Sequence, residues 1–220
     1  MNSLATAIGL CIALGGPALI ARFGDQCFGN PQHLLSKILQ QLALAVLLIA
    51  VLGIVIFGER QPLSSIGLHP LRWQSILWGL GFAGLLIFVY SPLITAAMTR
   101  LGLAGFEAGL AKLTPLPQWY LVLAVVMGGV VEEGLYRGYA TERLSGLTGS
   151  YGIGAGLALI AFGLAHVPLW GWVPAFTTVL SGGLLTLFYL GTGDLLTVIV
   201  AHIVTDSIGI IIPKAFSSKS

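Results

Sequence analysis

Two adjacent carboxylates inside an apolar stretch constrain this chain more than any other feature. Residues 125–143 read VVMGGVVEEGLYRGYATER: seven apolar or glycine residues lead into Glu132 and Glu133, and Arg137 follows one turn later. Only 8 Asp and Glu occur among 220 residues, and two of them sit here. Ionisable groups at membrane depth are expensive, face protein rather than lipid, and mark functional sites. The rest of the chain must therefore build a protein interior around these carboxylates.

Composition decides the medium. Hydrophobic residues make up 56% and charged residues 8%, with a mean hydropathy of +0.96; an ordinary soluble domain carries about 25% charged residues. The expected fold class is all-α, a polytopic membrane helical bundle, and the length suits about seven spans of ~20 residues. A net charge of +2 without a basic block excludes a nucleic-acid partner. Cys11 and Cys27 have neither metal-type nor redox-type spacing, and no disulfide framework is expected. No Lys or Arg leads the first apolar run as in a signal peptide, so residues 3–21 read as a retained first helix.

Apolar runs place the spans at 4–21, 38–57, 73–98, 119–143, 151–167, 174–190 and 195–212. Pro17 and Pro92 are expected to bend the first and third spans, and Pro168 and Pro213 to end the fifth and seventh. Residues 22–37 and 58–72 read as polar connections, the second containing Glu59. Residues 99–118 read as an amphipathic or a re-entrant piece, and an eighth span results if they cross. Gly152, Gly154 and Gly156 are expected to let the fifth span approach a neighbour closely. Asp194 reads as a helix N-cap, Glu107 and Glu142 as solvated or interfacial, and Trp73, Trp78, Trp170 and Trp172 as interface anchors. Residues 1–118 form an N-terminal set of membrane helices, and 119–220 a four-span core.

Two further polar islands interrupt that core: FGLAH, with Phe162 and His166, and HIVTD, with His202 and Asp206. Each pair is four residues apart and so shares one helix face. Glu133 and Arg137 have the same spacing and can pair, while Glu132 points about 100° away from Glu133. Gly128 and Gly129 leave room one turn before the glutamates. At ~1.5 Å per residue, Glu132 and His166 lie roughly 20–25 Å from the turn at 145–150. His202 and Asp206 lie roughly 12 and 18 Å from the turn at 191–194 by the same rise. All four reach comparable depth, from the midplane into the half opposite those turns. Taken singly, a Glu–Arg pair reads as a structural ion pair and a membrane histidine as a helix–helix hydrogen-bonding group. Three islands at one depth favour a built site.

A glutamate and a histidine in one pocket suit the activation of water. A second histidine with an acid partner suits polarising a carbonyl and steadying an oxyanion. No Ser or Cys is placed beside a histidine as a covalent nucleophile. The expectation is no cofactor; zinc is the rival, since two histidines with carboxylates are adequate ligands, although HExxH is absent.

Glu132 to Arg137 matches EExxxR, Phe162 to His166 matches FxxxH, and His202 to Asp206 matches HxxxN/D. In this order the three motifs, within residues 119–212, resemble the CPBP (ABI) family. That family comprises type II CAAX prenyl proteases and bacteriocin-processing or self-immunity relatives. The resemblance implies an intramembrane glutamate-dependent endopeptidase, of a kind earlier regarded as metal-dependent. It would cut a peptide or lipidated, including prenylated, protein at the membrane lipid. By the same resemblance Glu132 is the general base assisted by His166. His202 and Asp206 form the oxyanion side, and Glu133, Arg137 and Phe162 support the site. Asp206 departs from the asparagine of several members: an ionised Asp donates no hydrogen bond, so it is either protonated or orients His202. The competing function is a non-proteolytic membrane protein (self-immunity, partner-binding or ion-handling) reusing the same buried groups.

Orientation follows from positive charge. With seven spans, Arg22, Lys37, Arg100, Lys112, Lys214 and Lys219 share one side, and Arg60, Arg72 and Arg143 the other. Six against three makes the first side cytoplasmic. The expected location is the bacterial inner membrane, with the site toward its cytoplasmic half.

Overall fold

The computed structural model describes residues 3–30, 33–103 and 105–212. They form helices and connecting turns, with no strand among the described residues. Six helices are long and apolar enough to cross a membrane. These are α1 (Ser3–Phe28), α2 (Leu34–Gly58), α3 (Trp73–Arg100), α5 (Gln118–Thr148), α6 (Tyr151–Trp170) and α7 (Trp172–Thr192). Between α3 and α5 lies the short α4 (Glu107–Leu113). The last helix, α8 (Leu195–Ile211), is apolar but shorter than the six, so the seventh expected span is the least complete. Pro213, Lys214 and Lys219 lie outside the described residues.

Burial ranks the helices. Half of the most apolar window of α5 is buried, against 11–39% for the other five. The carboxylate-bearing helix is therefore the axis of the bundle. Phe57 and Phe88, each 79% exposed, are among the large apolar side chains that cover the outer surface, as a helix facing hydrocarbon requires.

Several expectations need correction. The first helix does not stop near residue 21 but continues to Phe28, with a π-helical turn at Cys11–Gly15 just ahead of Pro17. The proline lacks an N–H and crowds the preceding turn; the wider turn accommodates it without a break. Pro168 does not end α6, which runs on to Trp170 and closes at Gly171 with φ +85°. Of the three small residues in α6, only Gly154 makes the close approach, its Cα position lying against the Ser145 backbone. The 99–118 stretch contains a seven-residue helix, which at ~1.5 Å per residue is about 10 Å long and cannot cross. Trp170 is its anchor: its ring covers Gly109, meets Phe106 edge-on at 5.3 Å, and its neighbour Leu169 accepts from Lys112 Nζ at 3.2 Å. Glu142 accepts from Tyr189 at 2.9 Å and Tyr151 at 3.1 Å. Asp194 caps α8 at Leu196 N, accepts from Thr197, and takes the Ser75 hydroxyl, which ties the start of α3 to the start of α8.

The largest departure concerns Glu59, expected in a polar connection, and Arg143, expected among the loop cations at the end of the fourth span. Both are buried, and Arg143 Nε donates to Glu59 Oε2 at 2.8 Å. Thr6 and Tyr139 donate to Glu59 Oε1 at 2.7 and 2.9 Å. Arg143 reaches the Ser65 carbonyl and hydroxyl at 3.0 and 2.9 Å. This cluster clamps the end of α5 to α1 and to the turn after α2. Removing one partner of a buried pair costs about 3–5 kcal/mol, because the other charge stays buried alone. Glu59→Ala should therefore lower thermal stability in detergent markedly; an unfolding midpoint equal to that of the parent protein would contradict the clamp.

Candidate active site

Glu133 and Arg137 are fully buried within α5, where the backbone widens into a π-helical segment over Glu133–Ala140. Such segments often occur at functional sites. Arg137 Nη1 donates to Glu133 Oε1 at 2.9 Å. Its remaining donors are directed at α7: Nη2 to the Gly182 carbonyl at 3.0 Å and Nε to Thr186 Oγ1 at 3.3 Å. The guanidinium lies 4.1 Å over the Phe162 ring of α6, a cation–π contact strengthened by the dry surroundings. A methyl group at Gly182 would stand 2.7 Å from Arg137 Nη2 and 2.8 Å from Phe162; only glycine fits there.

From α8, His202 presents Nδ1 to Glu133 Oε1 at 2.7 Å and Nε2 to Asp206 Oδ2 at 3.3 Å. A ring protonated on both nitrogens satisfies both carboxylates. The approach depends on Gly129 of α5, where an added Cβ would stand 2.5 Å from Ile203. Gly129 thus brings α8 close enough for His202 to touch Glu133.

Glu132 is placed differently. Its side chain is 27% exposed, while that of Glu133 is sealed. Glu132 Oε2 lies 3.6 Å from His166 Nε2 and 4.0 Å from His202 Nε2, both just beyond hydrogen-bonding distance. His166 Nδ1 bonds the Phe162 carbonyl at 2.8 Å; since a carbonyl only accepts, Nδ1 carries the proton and a neutral ring leaves Nε2 free. Phe162 packs on His166 with centroids 4.4 Å apart.

Glu132, Glu133, Arg137, Phe162, His166, His202 and Asp206 therefore stand in one layer across α5, α6 and α8. Gly182 and Thr186 of α7 belong to it and were not singled out from sequence. The only signal for them is the small-residue run 181–183, which looks like any packing surface. Arg143 and Glu59 belong to the separate clamp, and His33 and His69 take no part. Among the described residues, no three His, Cys, Asp or Glu side chains are arranged to hold a metal ion.

Residues 114–208 match a family model described as type II CAAX prenyl endopeptidase Rce1-like. This part of the chain is similar to that family. The match contains every member of the polar layer and agrees with the family that the three motifs resemble. With six candidate spans, the chain is an integral multi-pass membrane protein. No curated protein and no solved structure matches it.

Proposed function

We propose that the chain is an intramembrane endopeptidase of the glutamate type, hydrolysing a peptide bond of a membrane-associated, lipidated protein or peptide with water activated by Glu132. One observation carries this: Glu132 Oε2 faces two imidazole Nε2 atoms at 3.6 and 4.0 Å, gaps that a single bridging water closes. Glu132 accepts the proton of that water, and His166 Nε2 holds its second hydrogen. The water oxygen attacks the substrate carbonyl, and the proton passes from Glu132 to the leaving amine. His202 stands on the oxyanion side, oriented by Asp206, which in its ionised form accepts rather than donates. Glu133 and Arg137 are positioning residues: they fix His202 and leave Glu132 free. No step is routed through a metal.

Losing a general base costs about 10²–10⁴-fold in rate. Glu132→Gln, purified and assayed on a prenylated peptide, should show that loss at unchanged thermal stability, and the parent enzyme should keep its rate in chelator. Parental activity in the Gln variant, or chelator inactivation reversed by one divalent ion, would contradict the mechanism.

On the same reading the site lies toward the cytoplasmic half of a bacterial inner membrane, an orientation that rests on the asymmetry of positive charge. α4 is too short to cross, which supports the seven-span count. The burial of Arg143 in an ion pair leaves Arg60 and Arg72 as the cations of the opposing loops, which sharpens the charge asymmetry. Ser145 is buried and unsuited to labelling; Gly146 is exposed, with nothing within 4 Å of an added Cβ. In a background with the exposed Cys11 and Cys27 replaced by alanine, Gly146→Cys should react with an impermeant thiol reagent in intact cells. Reaction only after lysis would reverse the orientation.

A further inference from the structure

Tyr136 is a buried group for which neither the motifs nor the mechanism above gives a role. It is 1% exposed, and its hydroxyl has no hydrogen-bond partner. A buried hydroxyl left without a partner costs about 1–3 kcal/mol, so its retention calls for a reason. Phenylalanine would fill the same space without that cost.

The position supplies one. Tyr136 follows Glu132 by four residues, one turn along α5, so both lie on nearly the same face. Its ring meets Phe162 edge-on at 5.3 Å, Phe162 packs on His166 at 4.4 Å, and His166 faces Glu132 at 3.6 Å. The chain of contacts runs from the tyrosine to the carboxylate. The charges that act on the Tyr136 hydroxyl are those of Glu132 and Arg137. On the His202 side of the layer a donor is missing. Asp206 stands where an asparagine would offer an N–H, and its Oδ2 is turned to His202 at 3.3 Å. The site therefore holds one neutral donor without an acceptor and one carbonyl-binding position short of a donor.

We propose that Tyr136 is a further catalytic residue, whose hydroxyl donates a hydrogen bond to the oxyanion of the tetrahedral intermediate. This rests on the glutamate-activated hydrolysis proposed above. As the water oxygen bonds to the carbonyl carbon, the carbonyl π pair moves onto oxygen and the water proton goes to Glu132. Tyr136 keeps its own proton and stabilises the new negative charge. When the C–N bond breaks, the pair returns to form the C=O, the amine takes the proton from Glu132, and the tyrosine hydroxyl is again without a partner.

Removing one oxyanion donor costs about 10²–10³-fold in kcat. Tyr136→Phe keeps the ring against Phe162 and removes only the hydroxyl. In detergent-purified full-length protein on a prenylated peptide, it should lower kcat by about 10²-fold with little change in KM. Its unfolding midpoint should equal or exceed the parent's, since an unsatisfied group is gone. Parental kcat in Tyr136→Phe beside an inactive Glu132→Gln overturns the tyrosine's role and leaves the base intact. A kcat loss matched by a lowered midpoint assigns Tyr136 a structural role and also overturns it. Parental activity in Glu132→Gln, or no cleavage by the parent, removes the reading on which the proposal stands, and the proposal with it.

Discussion

The structure depends on keeping one charge pair dry. Glu133 and Arg137 have side-chain exposures of 0% and 2%, in a chain whose surroundings are lipid and apolar side chains. Two ions in such a medium persist only when they are paired, and the arginine's remaining donors must also be met. Arg137 meets this condition by drawing in α7 through Gly182 and Thr186 and α6 through Phe162. Glu133 draws in α8 through His202. The pair therefore recruits three helices around α5, and the four together define the layer. Glycines permit the result: Gly182 admits the guanidinium and Gly129 admits α8.

Sealing Glu133 leaves Glu132 free to differ. Two adjacent carboxylates on one helix occupy unlike environments, one bonded at 2.9 and 2.7 Å and closed off, the other 27% exposed with its oxygen short of any direct bond. Had both been exposed, or both paired with Arg137, neither would stand ready to accept a proton. The 100° between neighbouring helical residues and the π-helical widening from Glu133 onward produce this separation. The proposed base and its supporting residue are thus consecutive in sequence and opposite in environment.

How much of this was legible in the sequence depends on the range of each interaction. Pairs four residues apart (Glu133 with Arg137, Phe162 with His166, His202 with Asp206) follow from helical periodicity and are found as such. The depth count also brought His166 and His202 to Glu132, since helices in a membrane start from common levels. Span ends were less legible: the first helix runs past residue 21 to Phe28, and Pro168 is accommodated within its helix rather than ending it. The pairing of Glu59 with Arg143 is not legible, and for a physical reason: they are 84 residues apart, each sits beside polar neighbours at an element end, and only the packing of α1 shows that they are covered. Gly182 was equally hidden, since a glycine that receives a guanidinium is written no differently from one that receives a helix. The orphaned Tyr136 hydroxyl has no sequence signature at all.

The central claim is that the carboxylate of Glu132 activates water and is not itself the nucleophile. A single-turnover reaction in H₂¹⁸O, with enzyme in excess over a prenylated peptide, tests this most directly. Direct attack by water places ¹⁸O in the newly formed product carboxylate on the first turnover and leaves the peptide containing Glu132 unlabelled by mass spectrometry. Label in Glu132 with an unlabelled first-turnover product would mean a covalent anhydride, and would contradict the account.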